Sequence, residues 1–178
     1  DHTSDYKPYF NYGRSKMLME KFIREIEEKK LINTVLVRAM WFYGPYQPGR
    51  QNLFFQMINK GKVPLVGSGN NLRSMSNTEN LSYGLILTYL KEKANGNSYW
   101  IADRKPYSQI EIINTVRSVL LKEFSINSID KNIKLPGIFS DFAYIADMII
   151  QKIGLYNSKI HVLSELSKDI FCSIKKTE

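Results

Sequence analysis

Apolar residues first recur at helical spacing between residues 12 and 30, where Met17, Leu18, Phe22, Ile23 and Ile26 stand among charged neighbours. That period predicts an amphipathic helix. The next segment, "LINTVLVRA", is rich in β-branched residues and nearly continuous in apolar character, which predicts a buried parallel strand at 34–38. Two prolines and two glycines in "YGPYQPG" (43–49) predict a loop. A short helix is expected over 51–60, closing at Gly61, and "VPLVGSGNN" reads as a brief strand running into a turn. Residues 78–93 predict a helix with Leu81, Leu85, Ile86 and Leu90 inward. "NSYWIA" predicts a second strand, at 98–102. Ser108 with Glu111 three residues on is a capping-box pattern, and it opens a helix carrying Ile110, Ile113, Val116, Val119 and Leu120. After "LPGIF" come a helical run near 139–153 and a weaker helix from about 161.

Helices alternating with strands place the chain in the α/β class. Only 34–38 and 98–102 read as buried strands of a parallel sheet, and two strands cannot build an independent doubly wound sheet. The expected architecture is therefore the later part of a larger parallel sheet, joined to a mainly helical lobe. The boundaries expected are 1–44 for the sheet part and 45–178 for the lobe, with the late strand near 98–102 interleaved.

Composition narrows the function. The 43% hydrophobic content in 178 residues is enough for a core. The net charge of +8 is spread evenly, with a surplus of four in residues 1–60 and four in the rest. A nucleic-acid surface gathers such charge into a stripe, so no nucleic-acid partner is expected, while a basic cleft for a phosphate-bearing small molecule is compatible. No apolar run approaches the ~20 residues that span a bilayer, so no membrane partner is expected. One cysteine, Cys172, allows no internal disulfide and fits a cytoplasmic protein. His2 and His161 form no ligand pattern, no metal site is expected, and both histidines are expected at the surface.

The stretch "YFNYGRSKMLMEKF" (9–22) places Tyr12 and Lys16 at i and i+4, on one helical face one turn apart. A phenol titrates near ~10, and a nearby ammonium favours the phenolate. Such a pair can move a proton to or from a substrate hydroxyl. Tyrosine and lysine four apart also occur by chance in many helices, so the pair alone does not decide the matter.

Its surroundings do more. "YGRSK", then "LVRAMWFYGPYQ", "INKGKVPLVGSGNNLRSMSNTENL" and "SYWIADRKPYSQIEI" resemble, in order and spacing, the later segments of the extended short-chain dehydrogenase/reductase family, over about residues 6–125. Within it the chain is similar to nucleotide-sugar epimerases and dehydratases. The resemblance implies a Rossmann-like sheet, NAD or NADP as cofactor, a nucleotide-sugar substrate and compatibility with a homodimer. It implies that Tyr12 is the acid/base and that Lys16 holds the nicotinamide ribose. Ala39, Met40 and Trp41 would lie beside the nicotinamide, with Trp41 also meeting substrate. Asn52, Leu53 and Val66 would contact the nucleotide, and Arg73 would pair with a diphosphate, which suits a planar guanidinium fork.

Ala39 replaces the family's usual proline. Trp41 stands where many relatives carry asparagine, and indole donates one hydrogen bond and accepts none. A tryptophan here resembles the 3β-hydroxysteroid dehydrogenase branch, an oxidoreductase alternative with apolar substrates; a binding module without catalysis is the other alternative. Glu79 or Asn80 could cap the helix that follows. Gly67 and Gly69 read as a turn, not as the glycine-rich pyrophosphate loop, which in this family belongs to the first βαβ unit. The chain is thus expected to be a fragment that neither catalyses nor binds dinucleotide tightly alone, and that, with strand 34–38 short of neighbours, self-associates, swaps segments or is marginally stable.

Overall fold

The computed structural model describes residues 6–8 and 10–178; His2 lies outside them. In chain order the elements are α1 (Phe10–Glu28), β1 (Leu36–Ala39), β2 (Trp41–Tyr43), α2 (Gly49–Asn59), β3 (Pro64–Val66), β4 (Leu72–Arg73), β5 (Met75–Asn77) and α3 (Thr78–Leu90). They continue with β6 (Ser98–Ile101), β7 (Tyr107–Ser108), α4 (Gln109–Phe124), β8 (Ile133–Leu135), α5 (Ile138–Lys152) and α6 (Ser158–Glu165). The chain divides into two units. One comprises the residues up to Gly44 with Met75–Lys105 and Cys172–Glu178; the other comprises Pro45–Ser74 and Pro106–Phe171.

In the first unit the two expected strands pair. β1 runs parallel to β6, with Leu36 opposite Ser98 and Ala39 opposite Ile101. A parallel pair needs a long connection, and the chain between β1 and β6 contains a second parallel pair, β2 with β5, in which Trp41 faces Met75. The Ser76 hydroxyl ties the two pairs together by donating to the Ile101 carbonyl at 2.6 Å. Asp103 joins the strand ends: Tyr43 Oη donates to one carboxylate oxygen at 2.9 Å and the Asn77 amide to the other at 3.2 Å. α3 is capped by Asn77, whose side chain accepts from the amides of Glu79 and Asn80. Those two residues are thus the capped groups, not the cap.

Gly44 closes β2 at φ +131°, and a Cβ there would collide with Thr78 Oγ1. Both the backbone conformation and the close approach demand glycine. Gly44→Ala is expected to cost about 1–3 kcal/mol in stability, read from urea melts. A melt superimposable on wild type would mean that the turn relaxes without strain.

Two helices of this unit depart from expectation. α1 turns Leu18 and Phe22 outward, and α3 exposes Leu85, Ile86 and Leu90. α3 seats on β6 through Gly84 instead, where a Cβ would come within 2.5 Å of Ile101 Cδ1. Its sequence, TENLSYGLILTYL, is apolar around most of its circumference, so periodicity cannot choose a face; the small residue decides the contact.

In the second unit the core is Ile58, Val63, Leu65 and Ile113, with Phe54, Phe55, Met57, Ile110 and Val116 packed against it. α2 and α4 supply most of these. β3 pairs with β8 in parallel, and β4 pairs with β7 antiparallel. The capping box at Ser108 forms as the sequence predicts: its hydroxyl accepts from the Glu111 amide at 3.1 Å, and the Glu111 carboxylate accepts from the Ser108 amide. Gly67 and Gly69, at φ +65° and +76°, form the turn leading to β4.

His161 is buried, not superficial. Its Nδ1 lies 2.7 Å from Asp147 Oδ2, and Gln151 Nε2 donates to Asp147 Oδ1 at 3.0 Å. Helical spacing of a lone histidine does not reveal a carboxylate on the preceding helix.

Candidate active site

Helix α1 places Tyr12 and Lys16 as the sequence predicts. Tyr12 is 69% exposed and Lys16 is exposed as well. Lys16 Nζ stands 5.6 Å from the centroid of the Tyr12 ring. Among the described residues neither the phenol oxygen nor Nζ has a hydrogen-bond or ion-pair partner, which leaves both groups available to ligands. The Ser15 hydroxyl turns back onto the Tyr12 carbonyl at 2.8 Å, so it supports the helix and not the phenol.

The same helix is fixed to the sheet one turn further on. Glu20 is buried and meets Arg38 of β1 through two hydrogen bonds, at 2.8 and 2.5 Å. Tyr6 Oη donates to the same carboxylate at 2.9 Å. Burial alone would raise the Glu20 pKa; the hydrogen bonds from Arg38 and Tyr6 and the charges of Arg38 and Arg24 outweigh it and hold the carboxyl below its ordinary value. The Arg38 guanidinium also stacks 5.1 Å from the Trp100 ring. Arg24 adds a third tie, donating to Ser98 Oγ of β6 at 2.6 Å. A bidentate carboxylate–guanidinium pair has a defined geometry, so it fixes the rotation of α1 and hence the direction in which Tyr12 and Lys16 project. Hydrophobic periodicity gives no sign of this pair; the signal is a glutamate on the inward side of a helix and an arginine in the middle of an apolar strand.

Ala39 ends β1 with its side chain exposed, Met40 follows half-buried, and Trp41 opens β2 half-buried. The three therefore lie in the unit that carries Tyr12 and Lys16.

The other expected ligand residues belong to the second unit. Asn52 and Leu53 are exposed on α2, where Asn52 Oδ1 accepts from Gln47 Nε2 at 2.6 Å. Val66 is 2% exposed. It borders an open depression of about 340 Å³, lined by the 66–71 turn with Ser167 and Asp169. The Asn71 amide there has both its oxygen and its nitrogen buried without a hydrogen-bond partner among the described residues.

Arg73 is engaged structurally. It donates to the Glu165 carbonyl at 2.5 Å, and β4 bridges to Ile170. Burial pushes its pKa down, opposed by the charges of Glu165 and Asp169. Arg73→Ala is therefore expected to lower stability by about 1–3 kcal/mol whatever ligand it meets, because a half-buried carbonyl loses a charged donor. A thermal melt checks this; an unchanged melting temperature would free Arg73 of its structural duty.

An exposed tyrosine and lysine, one turn apart on a helix fixed to a parallel strand pair, together with the ordered segments that follow, define a chain of the extended short-chain dehydrogenase/reductase type. The model of the 3-beta hydroxysteroid dehydrogenase/isomerase family matches residues 2–136, and the chain belongs to that family. The uncharacterized protein y4nL of Sinorhizobium fredii is 47% identical over 174 residues, covering 97% of this chain and 49% of that protein. The chain thus spans about half the length of the curated relative it matches. Among solved structures, the dTDP-glucose 4,6-dehydratase of Bacillus anthracis, in complex with NAD, superposes with TM-score 0.62 at 19% identity over 76% of this chain and 43% of that one. The epimerase Mth375 of Methanothermobacter thermautotrophicus superposes with TM-score 0.60 at 19% identity over 74% and 39%. At such identities the likeness is one of fold: a Rossmann-like α/β fold.

Proposed function

We propose that this chain supplies the proton-transfer helix and part of the substrate-binding lobe of an NAD(P)-dependent epimerase/dehydratase-type oxidoreductase. The observation that carries the reading is the Tyr12–Lys16 pair, exposed and free of partners on a helix locked by Glu20 and Arg38. A nicotinamide held beside Tyr12 and Lys16 would supply a reversible hydride acceptor for a substrate carbinol carbon. Tyr12 takes the hydroxyl proton as that carbon is oxidised and gives it back on reduction. Lys16 would offer three donors to the ribose hydroxyls beside the phenol. The small, exposed Ala39, with Met40 and Trp41, would line the nicotinamide side.

The residues present fit the nicotinamide-riboside end of the cofactor. Pyrophosphate is held by backbone amides at a helix N-terminus after a glycine-rich turn, and the Gly67–Gly69 turn leads into the antiparallel β4–β7 pair instead. NAD and NADP are accordingly expected to bind the isolated 178 residues weakly, and a micromolar dissociation constant in a titration would contradict this.

For substrate, the reading takes a nucleotide-sugar. Asn52, Leu53 and Val66 would contact its nucleotide, the unpartnered Asn71 amide beside Val66 offers a donor and an acceptor, and Arg73 has guanidinium donors beyond the one given to Glu165. A second reading, oxidation of an apolar hydroxysteroid-type alcohol, is favoured by Trp41, whose indole cannot accept a hydrogen bond, and by the family description. The two separate in a ligand screen on the whole gene product. Arg73→Ala raises KM for a nucleotide-sugar under the first reading and leaves KM for an apolar alcohol unchanged under the second.

A further inference from the structure

The α5–α6 hairpin is joined by a polar seam. The buried residues of α5 are Ser140, Ala143, Asp147 and Gln151, and those of α6 are His161 and Ser164. Ser140 Oγ lies 3.1 Å from both the Leu163 and the Ser164 carbonyl oxygens, and Ser167 Oγ donates to it at 2.7 Å. Asp147 is wholly buried. Its carboxylate accepts from His161 Nδ1 at 2.7 Å and from Gln151 Nε2 at 3.0 Å. Apolar contact is non-directional and lets helices slide. Hydrogen bonds hold only within a narrow range of distance and angle, and a satisfied buried network is rigid. The seam therefore fixes the register of α6 along α5.

The end of α6 carries Arg73. The guanidinium donates to the carbonyl of Glu165, the last residue of α6, at 2.5 Å. The residues that follow hold the main chain on either side of Arg73. Asp169 Oδ1 accepts from the Leu72 amide at 2.7 Å. The Ile170 amide donates to the Leu72 carbonyl at 2.8 Å, and the Ser74 amide donates to the Ile170 carbonyl at 3.0 Å. β4 itself is only Leu72–Arg73, paired with β7 over those two residues. Side chain and main chain of Arg73 thus both lean on residues 165–170, and all these groups belong to one unit.

We propose that the buried His161–Asp147 pair positions Arg73 for its ligand, by holding the end of α6 in register on α5. This rests on the reading of Arg73 as the residue that meets the diphosphate of the substrate. His161 touches no ligand in it and acts through the Glu165 carbonyl.

The test is calorimetric titration of the cofactor-loaded whole gene product with UDP, dTDP, GDP and ADP, the tightest binder being carried into the variants. Loss of folded protein lowers the stoichiometry, whereas a displaced guanidinium raises Kd at unchanged stoichiometry. Arg73→Ala should raise Kd roughly tenfold or more, as a charge-assisted bond is lost. His161→Leu should raise it on the order of tenfold at unchanged stoichiometry, the scale of a small misplacement. His161→Asn, whose amide can still donate to Asp147, should stay near wild type. In the Arg73→Ala background His161→Leu should change Kd by less than about twofold, because the residue it acts through is gone. Ser140→Ala loosens the same seam with little change of volume; it should raise Kd in the same way and serves if His161→Leu does not fold. A wild-type Kd in folded His161→Leu or in Ser140→Ala would overturn the proposal. So would a rise in Kd that persists in the Arg73→Ala background, which would leave the hairpin a structural support only. An unchanged Kd in Arg73→Ala, or no binding of any of the four nucleotides, would overturn the reading of Arg73 and the proposal with it.

Discussion

Tyr12→Phe is expected to reduce turnover of the whole gene product by ~10²–10⁴-fold, the range that a positioned proton-transfer group contributes, while NAD(P) affinity stays near wild type. The ring remains and only the hydroxyl is lost, so packing gives no reason for a change; Tyr12 is exposed and its hydroxyl has no partner to lose among the described residues. Lys16→Met should act differently, lowering cofactor affinity and turnover together, because in the proposed reaction its ammonium holds the ribose beside the phenol. Turnover of Tyr12→Phe within a few-fold of wild type would remove the phenol from the mechanism.

Glu20→Gln is expected to produce the largest loss of stability, on the order of 3 kcal/mol, because it leaves Arg38 largely buried without its counter-charge. The pH dependence carries the same signature. The folded-state pKa of Glu20 is held below the ordinary value, so its contribution is fully present above the unfolded value of ~4.3 and is lost as pH falls through the lower folded value. Wild type should therefore lose stability on acidification in that window, and the glutamine variant should lose less. Urea melts at neutral pH and in the acid window measure both; equal stability at neutral pH would mean that the pair contributes nothing net. Since this pair orients α1, turnover should fall with it even where the variant remains folded.

The elements visible in the sequence are those set by local pattern. The helix bearing Tyr12 and Lys16, the β1–β6 strands, the capping box at Ser108 and the Gly67–Gly69 turn each depend on residues a few positions apart. What was hidden depends on distant partners. β2, β5 and β7 are two or three residues long, too short for alternation to register. The burial of His161 depends on Asp147 of the preceding helix, and the inward face of α3 depends on Gly84 meeting Ile101, not on its leucines. The exposed apolar faces of α1 and α3 show the same limit: periodicity tells which residues prefer burial, and only the tertiary neighbours decide whether anything covers them. The placement of the proposed pair was legible where chemistry and helical spacing coincide, at Tyr12 and Lys16, one turn apart and exposed on α1. It was not legible at Glu20 and Arg38, which touch no ligand in the proposed reaction but set the direction in which the pair projects.

The most direct test of the account is a single-turnover experiment on the whole gene product. Bound NAD⁺ or NADP⁺ is mixed with a panel of nucleotide-sugars and apolar secondary alcohols, and the near-ultraviolet absorbance of reduced nicotinamide is followed. The account predicts a burst of reduced nicotinamide with one substrate class in wild type, and its loss in Tyr12→Phe with cofactor still bound. A burst of equal rate and amplitude in Tyr12→Phe would contradict it.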